Sequence, residues 1–183
     1  MEVYLASAAG LLSWCGKWRK IPTPLAHPTL LAACGADVAL ADSVNRLLYR
    51  QGRVSTLPPG VEVLRCWRNQ LLTLSSETNC LTLYDAHDYP LVTSPAGIRP
   101  CDCVVVDCQV IVCGCEDGCL HIFSLPDLRE IAAYPVPGCP MRVAADGGVL
   151  TCLSLLSPDP PQTLLFRLCL TCLLYTSDAA DDK

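Results

Sequence analysis

The sequence has no apolar run of membrane-spanning length. Its aliphatic residues come in short runs broken by Gly, Pro or a charge, whereas a spanning helix needs roughly 20 predominantly apolar residues in succession. Basic residues are few and scattered, and the formal net charge is −5 over 183 residues. Such a chain has no concentrated positive patch for nucleic acid or an anionic membrane surface. The opening MEVYLASAAGLLSWCGKW carries Glu2 and no basic residue ahead of its apolar stretch, unlike a secretory signal. The expectation is a cytoplasmic chain with no nucleic-acid or membrane partner. GxSxG, Walker and GxGxxG motifs are missing too, and with them the common nucleophile and phosphate sites. Helical spacing is likewise absent, because Gly or Pro interrupts every stretch that might sustain three turns.

What the sequence does contain is a repeat. Four segments share one design: VYLASAAGLLSW from Val3, VALADSVNRLLYR from Val38, LLTLSSETNCLTLYD from Leu71 and VIVCGCEDGCLHIFS from Val110. Each is an apolar run, a polar break and a second apolar run. Gly10, Asn45, Asn79 and Gly118 close the breaks, and Gly and Asn enter positive φ at least cost. The pattern predicts four β-hairpins, with turns at Ala8–Gly10, Ser43–Asn45, Glu77–Asn79 and Glu116–Gly118. Between them, Pro clusters such as PLAHP from Pro24, PAGIRP from Pro95 and PGCP from Pro137 precede further apolar runs. Proline cannot donate to a sheet ladder, so these clusters read as loops between strands. Four short strands per period of about 40 residues is the pattern of β-propeller blades.

The segment VIVCGCEDGCLHIFSLPDLREIAAYPVPGCPMRVAADGGVL, Val110 to Leu150, resembles one full unit of the YVTN-repeat, YncE-like β-propellers. Val110–Cys113, Leu120–Ser124 and Ile131–Gly138 fall on the family's first three strand motifs. Pro140, Val143 and Asp146-Gly147 complete the unit. Leu71–Val106 follows the pattern more loosely. Gly114 stands where the family often has Asn, and Ser124 replaces an Asp. The resemblance implies an all-β fold: an incomplete β-propeller of four-stranded antiparallel blades, about four and a half of them. They fall near residues 1–24, 28–59, 60–99, 100–139 and 140–171. The last residues, CLLYTSDAADDK from Cys172, back-translate to a transposon end and sequencing adaptor. Residues 172–183 are therefore read as an unstructured artefactual tail, and the natural chain as cut off near Thr171.

In a propeller the strand after each Pro loop is innermost and opens at the channel mouth. Glu62, Asp102 and Arg142 each stand second in such a run, evenly spaced, and are the candidate binding residues of that mouth. Asp42, Glu77 and Asp117 lie in the hairpin breaks and mark a loop face. Fourteen cysteines without a secretory signal read as reduced packing residues. Cys113, Cys115 and Cys119 come nearest to a metal-ligand set, but their CxCxxxC spacing lacks the second pair that zinc requires, so no metal and no cofactor are expected. His27, His87 and His121 share no ligand spacing. The leading functional reading is a non-catalytic propeller that binds a protein or small ligand, monomeric at full length. The alternatives are a propeller enzyme of the lactonase or hydrolase kind and a cysteine-based metal protein.

Overall fold

A computed structural model describes residues 3–7, 10–34 and 37–171. These form five antiparallel sheets in chain order, each a simple up-and-down meander. The first holds β1 (Val3–Ser7), β2 (Gly10–Trp14) and β3 (Trp18–Ile21). The second holds β4 (Leu30–Cys34), β5 (Asp37–Asp42), β6 (Leu47–Arg50) and β7 (Arg53–Thr56). The third runs β8 (Val61–Trp67), β9 (Gln70–Ser75), β10 (Cys80–Tyr84) and β11 (Pro90–Pro95). The fourth runs β12 (Pro100–Val106), β13 (Gln109–Gly114), β14 (Cys119–Ser124) and β15 (Glu130–Pro135). The fifth holds β16 (Cys139–Asp146), β17 (Val149–Pro158) and β18 (Pro161–Cys169). Residues 172–183, with the tail expected there, lie outside the described residues.

Period-two alternation explains how the sheets stack. Side chains of one strand point to opposite faces, so a strand covered on both sides must be apolar throughout. β13 is such a strand. Val110 and Val112 pack with Leu72, Leu74, Leu81, Leu83 and Phe123 in the seam between the third and fourth sheets. Ile111 and Cys113 pack with Val143, Leu150 and Cys152 in the seam between the fourth and fifth. Ala39, Ala41 and Leu48 meet Val61, Leu64 and Leu71 one seam earlier. The outer strands β11 and β15 instead alternate exposed with half-buried residues. Each buried aliphatic side chain contributes about 1.5 to 3 kcal/mol relative to leaving it in water. The inner strands β4, β8, β12 and β16 approach one another in series.

The turns depart from expectation in detail. Asp42 pairs with Leu47, Ser75 with Cys80 and Gly114 with Cys119, so each of these hairpins closes through a four-residue loop. Its last residue takes the left-handed conformation: Arg46 (φ 56°), Asn79 (φ 54°) and Gly118 (φ 68°). In the second sheet that residue is Arg46, one place after the expected Asn45. The same backbone bond recurs from these residues, whose carbonyls accept from Leu57 N at 2.8 Å, Ala96 N at 2.9 Å and Val136 N at 2.9 Å. Asn45 serves the turn differently, donating its N–H and side-chain amide to Asp42. Of the first expected turn, Ala8 and Ala9 lie outside the described residues. The prolines also stand closer to the ladders than loops would place them. Pro100 opens β12 and Pro140 is the second residue of β16, each just before a bulge, where pairing is already interrupted and a missing N–H costs little.

Candidate functional site

Bulges decide which side chains of the inner strands leave the ladder. In β8, Val61 pairs with Ser75 and Val63 with Leu74, leaving Glu62 out of the ladder. In β12 the unpaired residue is Cys101, between Pro100 and Asp102. In β16 it is Met141, between Pro140 and Arg142. Glu62, Asp102 and Arg142 are thus not one repeated position, as their even spacing suggested. Asp102 and Arg142 are equivalent, whereas Glu62 corresponds to Cys101 and Met141, because one residue fewer separates Val61 from Pro100 than Pro100 from Pro140. The three nevertheless line a single cavity of about 160 Å³, with Leu30, Leu31, Arg65 and Cys101 on its walls.

Their surroundings differ. Asp102 is buried and fully engaged. Its Oδ1 accepts from Arg65 Nη2 at 2.9 Å and from Cys103 N at 2.9 Å, and its Oδ2 accepts from Val143 N at 3.0 Å. It therefore ties the inner strands of three successive sheets together, an arrangement strengthened by the charge on both partners of the Arg65 pair. Arg65 also donates from Nε to Cys103 O at 2.8 Å. Glu62 is exposed and accepts from Ser76 Oγ. Arg142 is exposed and donates from Nη1 to its neighbour Met141 O at 2.7 Å. The cavity thus holds one fixed carboxylate and, beside it, one acidic and one basic side chain facing solvent.

On the hairpin face the structure uses Asp42 and Asp117 to build turns. Asp42 is completely buried and accepts from Asn45 N at 2.9 Å, Asn45 Nδ2 at 2.8 Å and His27 N at 3.1 Å. The Asn45 bonds, chiefly, hold its carboxyl below the usual range. Glu77 is exposed on its turn. Asp117 accepts from Cys119 N at 3.0 Å, Ile98 N at 3.1 Å and His121 Nε2 at 2.9 Å. On the other side of the ring, His121 Nδ1 donates to Glu130 Oε1 at 2.7 Å. A carboxylate at each nitrogen favours the double-donor, protonated form of the imidazole. Burial opposes that charge, but the two hydrogen bonds and the neighbouring negative charges raise the His121 pKa overall. The backbone yields to this cluster: a Cβ on Gly114 would stand 2.2 Å from Asp117 Oδ1, and one on Gly97 2.7 Å from His121 Nε2. Sequence spacing hid the cluster because its members sit on a turn and two strands. A visible signal was the glycine at 114, whose missing Cβ leaves room for the Asp117 carboxylate.

The cysteines divide by environment. Cys103, Cys113 and Cys152 are buried among aliphatic neighbours. Burial pushes Cys103 up to about 12, and hydrogen bonds to Cys101 and Cys152, then burial, push Cys113 up as well. Cys101 is held below the ordinary thiol value, first by its bond with Cys113. The structure does not assemble Cys113, Cys115 and Cys119 into a site: Cys113 enters the core, and Cys119 Sγ turns to Asp117 O at 3.5 Å. Among the described residues no group of three or more His, Cys, Asp or Glu has metal-holding geometry. Eleven described cysteines are free, but Cys66 is disulfide-bonded, which corrects the expectation of a wholly reduced set. No helix among the described residues is long and apolar enough to cross a membrane.

No protein-family model matches the sequence, and no curated protein matches it either. Solved structures do match. The computationally designed Ika4 protein superposes with a TM-score of 0.60 at 9% identity, over 77% of this chain and 91% of that one. U3-55K gives 0.69 at 14% identity, over 93% of this chain and 58% of its own. BamB from Moraxella catarrhalis gives 0.65 at 12% identity, over 92% and 55%. The fold is that of a β-propeller. This chain spans little more than half the length of U3-55K and BamB, and at such identities the likeness concerns architecture alone.

Proposed function

We propose that this chain belongs to a non-catalytic, YVTN-repeat-like propeller that binds a small ligand or a protein segment at its channel mouth. The observation that carries the proposal is the convergence of Glu62, Asp102 and Arg142, from three successive inner strands, on one cavity. A site for a charged ligand needs charges held where water is partly excluded. Asp102 is such a group, fixed by three hydrogen bonds. Glu62 and Arg142 provide one charge of each sign at the rim, within reach of solvent. This arrangement favours a ligand that presents both an acidic and a basic group, such as an amino acid or an exposed peptide terminus, over a polyanion. Glu77, exposed on the adjoining turn, extends the same acidic character across the loop face.

The test is a nuclear magnetic resonance screen of amino acids and short zwitterionic peptides against the wild-type chain and a Glu62→Gln/Arg142→Gln double variant. Both substitutions sit at exposed positions and leave the Asp102 network in place. Supporting ligands perturb signals around the mouth in the wild type and lose at least about tenfold in affinity in the variant, the loss expected for charged contacts at a partly desolvated site. Ligands that bind the variant equally well place recognition elsewhere and overturn the proposal.

A further inference from the structure

Sulfur atoms gather beside the charged mouth, where Cys101 lies at the edge of the core packing between the fourth and fifth sheets. A cavity of about 420 Å³ adjoins it, lined by Cys101, Cys115, Cys139 and Met141 together with Arg99 and Glu116. Cys101 and Met141 are the bulge residues of β12 and β16, released from their ladders. Cys115 opens the turn between β13 and β14. Its Sγ lies 3.5 Å from Met141 Sδ, and Cys101 lines the same cavity wall. Cys101 Sγ also faces the carbonyls of Pro140 at 3.2 Å and Met141 at 3.3 Å. Two thiols and a thioether, drawn from three segments and two sheets, therefore meet on the wall of an open cavity. The buried Cys103, Cys113 and Cys152 fill space between sheets; this trio is only half-buried.

We infer that Cys101, Cys115 and Met141 form a binding site for copper(I) at the rim of the channel. Thiolate and thioether sulfur are the soft donors that select this ion, and copper(I) is satisfied by two or three of them. Zinc would require a fourth ligand in tetrahedral array, and no such array forms among the described residues. Binding displaces the two thiol protons to solvent and leaves copper in the same oxidation state, so no oxidant or reductant enters. The resulting bis-thiolate carries one net negative charge, held at an open, half-exposed wall where solvent screens it. Both bulges are needed, because a regular ladder would place Cys101 and Met141 in paired positions of separate sheets.

The test is an anaerobic titration of the metal-free, reduced protein with copper(I), using bicinchoninate as a coloured competitor. The wild type should withdraw one copper(I) per chain at this site. Cys101→Ser and Cys115→Ser should each weaken it by more than about a hundredfold, and Met141→Leu by about tenfold, since a lost ligand costs at least as much as the 10- to 100-fold typical of an outer-shell partner. Met141→Leu conserves volume, so it remains informative if a cysteine variant fails to fold by circular dichroism. X-ray absorption of the one-to-one complex should show three sulfur neighbours and no nitrogen. Cys15→Ser and Cys108→Ser, at exposed thiols, should leave the affinity unchanged. A wild type that does not compete with bicinchoninate, or a Cys101→Ser/Cys115→Ser variant that retains the copper, would overturn the assignment.

Discussion

The seam between the third and fourth sheets and the open side of the first sheet are built from similar apolar strands, yet they end in opposite environments. In the seam, Leu72, Leu74, Leu81, Leu83, Val110, Val112 and Phe123 are sealed from solvent. Among the described residues of the first sheet, Leu11 is the one hydrophobic side chain that is buried, while the Trp14 and Trp18 rings meet tilted at 5.3 Å in a position that leaves Trp18 52% exposed. The fifth sheet shows the same condition at Leu165, 66% exposed. A blade of four short strands cannot bury both of its own faces; its neighbours do that. The stability of a sheet here is therefore a property of its two seams, and a side chain's energetic weight follows from how many sheets cover it.

Substitutions at the two locations should break or sharpen this comparison most clearly. Phe123→Ala should cost about 3 to 5 kcal/mol, through lost burial and the cavity left behind, whereas Trp18→Ala should stay within about 0.5 kcal/mol. Urea unfolding measures both, and equal losses would refute the seam argument. The next effect in size concerns charge. Arg50 at the end of β6 is 1% exposed and donates to Asn69 O at 2.6 Å and Asp85 O at 3.0 Å, with Asp88 Oδ1 at 3.5 Å. It clasps the second sheet to the loops of the third. Arg50→Met should cost about 3 kcal/mol by stranding Asp88 and the two carbonyls. Arg99→Met, which breaks the exposed pair with Glu116 at 2.7 Å, should cost less than about 1 kcal/mol.

Smaller again is the turn. Gly114→Ala should destabilise by about 1 to 3 kcal/mol, since its Cβ would displace the Asp117 carboxylate from His121. Thermal unfolding would show this as a lower midpoint, with the loss reduced in an Asp117→Ala background where the space is free. The subtlest effect depends on pH. The His121 pKa is raised on folding, so its contribution is fully present below the unfolded histidine value of about 6.5 and is lost as pH rises through the folded value. The Asp117 carboxyl is lowered although burial opposes this. Its contribution has the other sign, present above about pH 3.9 and lost as pH falls through the folded value. His121→Gln should therefore lower the midpoint more at pH 6 than at pH 9. An equal loss at both would show that the imidazole is not charged in the fold.

Much of this architecture could be read from the chain. The runs from Val38, Leu71 and Val110 are hairpins because each joins two strand-length apolar stretches through a break that one residue crosses at positive φ. Their double-sided burial was legible in VIVC and LLTL, which lack any polar alternation. Counting by 40 singled out Glu62, Asp102 and Arg142, and the three line one cavity. Counting could not see the bulges, which leave a residue unpaired without any mark in local composition, and so it equated Glu62 with the wrong partners. The Asp117–His121–Glu130 cluster and the Arg50 clasp were invisible for a related reason, since their members are neighbours only across a turn or between sheets.

By itself, then, the sequence determined the class of structure. Apolar runs of strand length, Gly and Asn at tight turns, and Pro where ladders begin leave few ways to bury this much aliphatic surface except in repeated antiparallel sheets. Those are local preferences, each written in a few adjacent residues. The tertiary structure alone decided which face each strand turns to which neighbour, because a bulge of one residue shifts every later side chain along the strand. In this way Asp102 became an interior strut, Glu62 and Arg142 the charged rim, and Cys101, Cys115 and Met141 a group of sulfurs at one point. Each of these outcomes depends on distances between residues far apart in the chain, and those distances are fixed only when neighbouring sheets close over one another and exclude water.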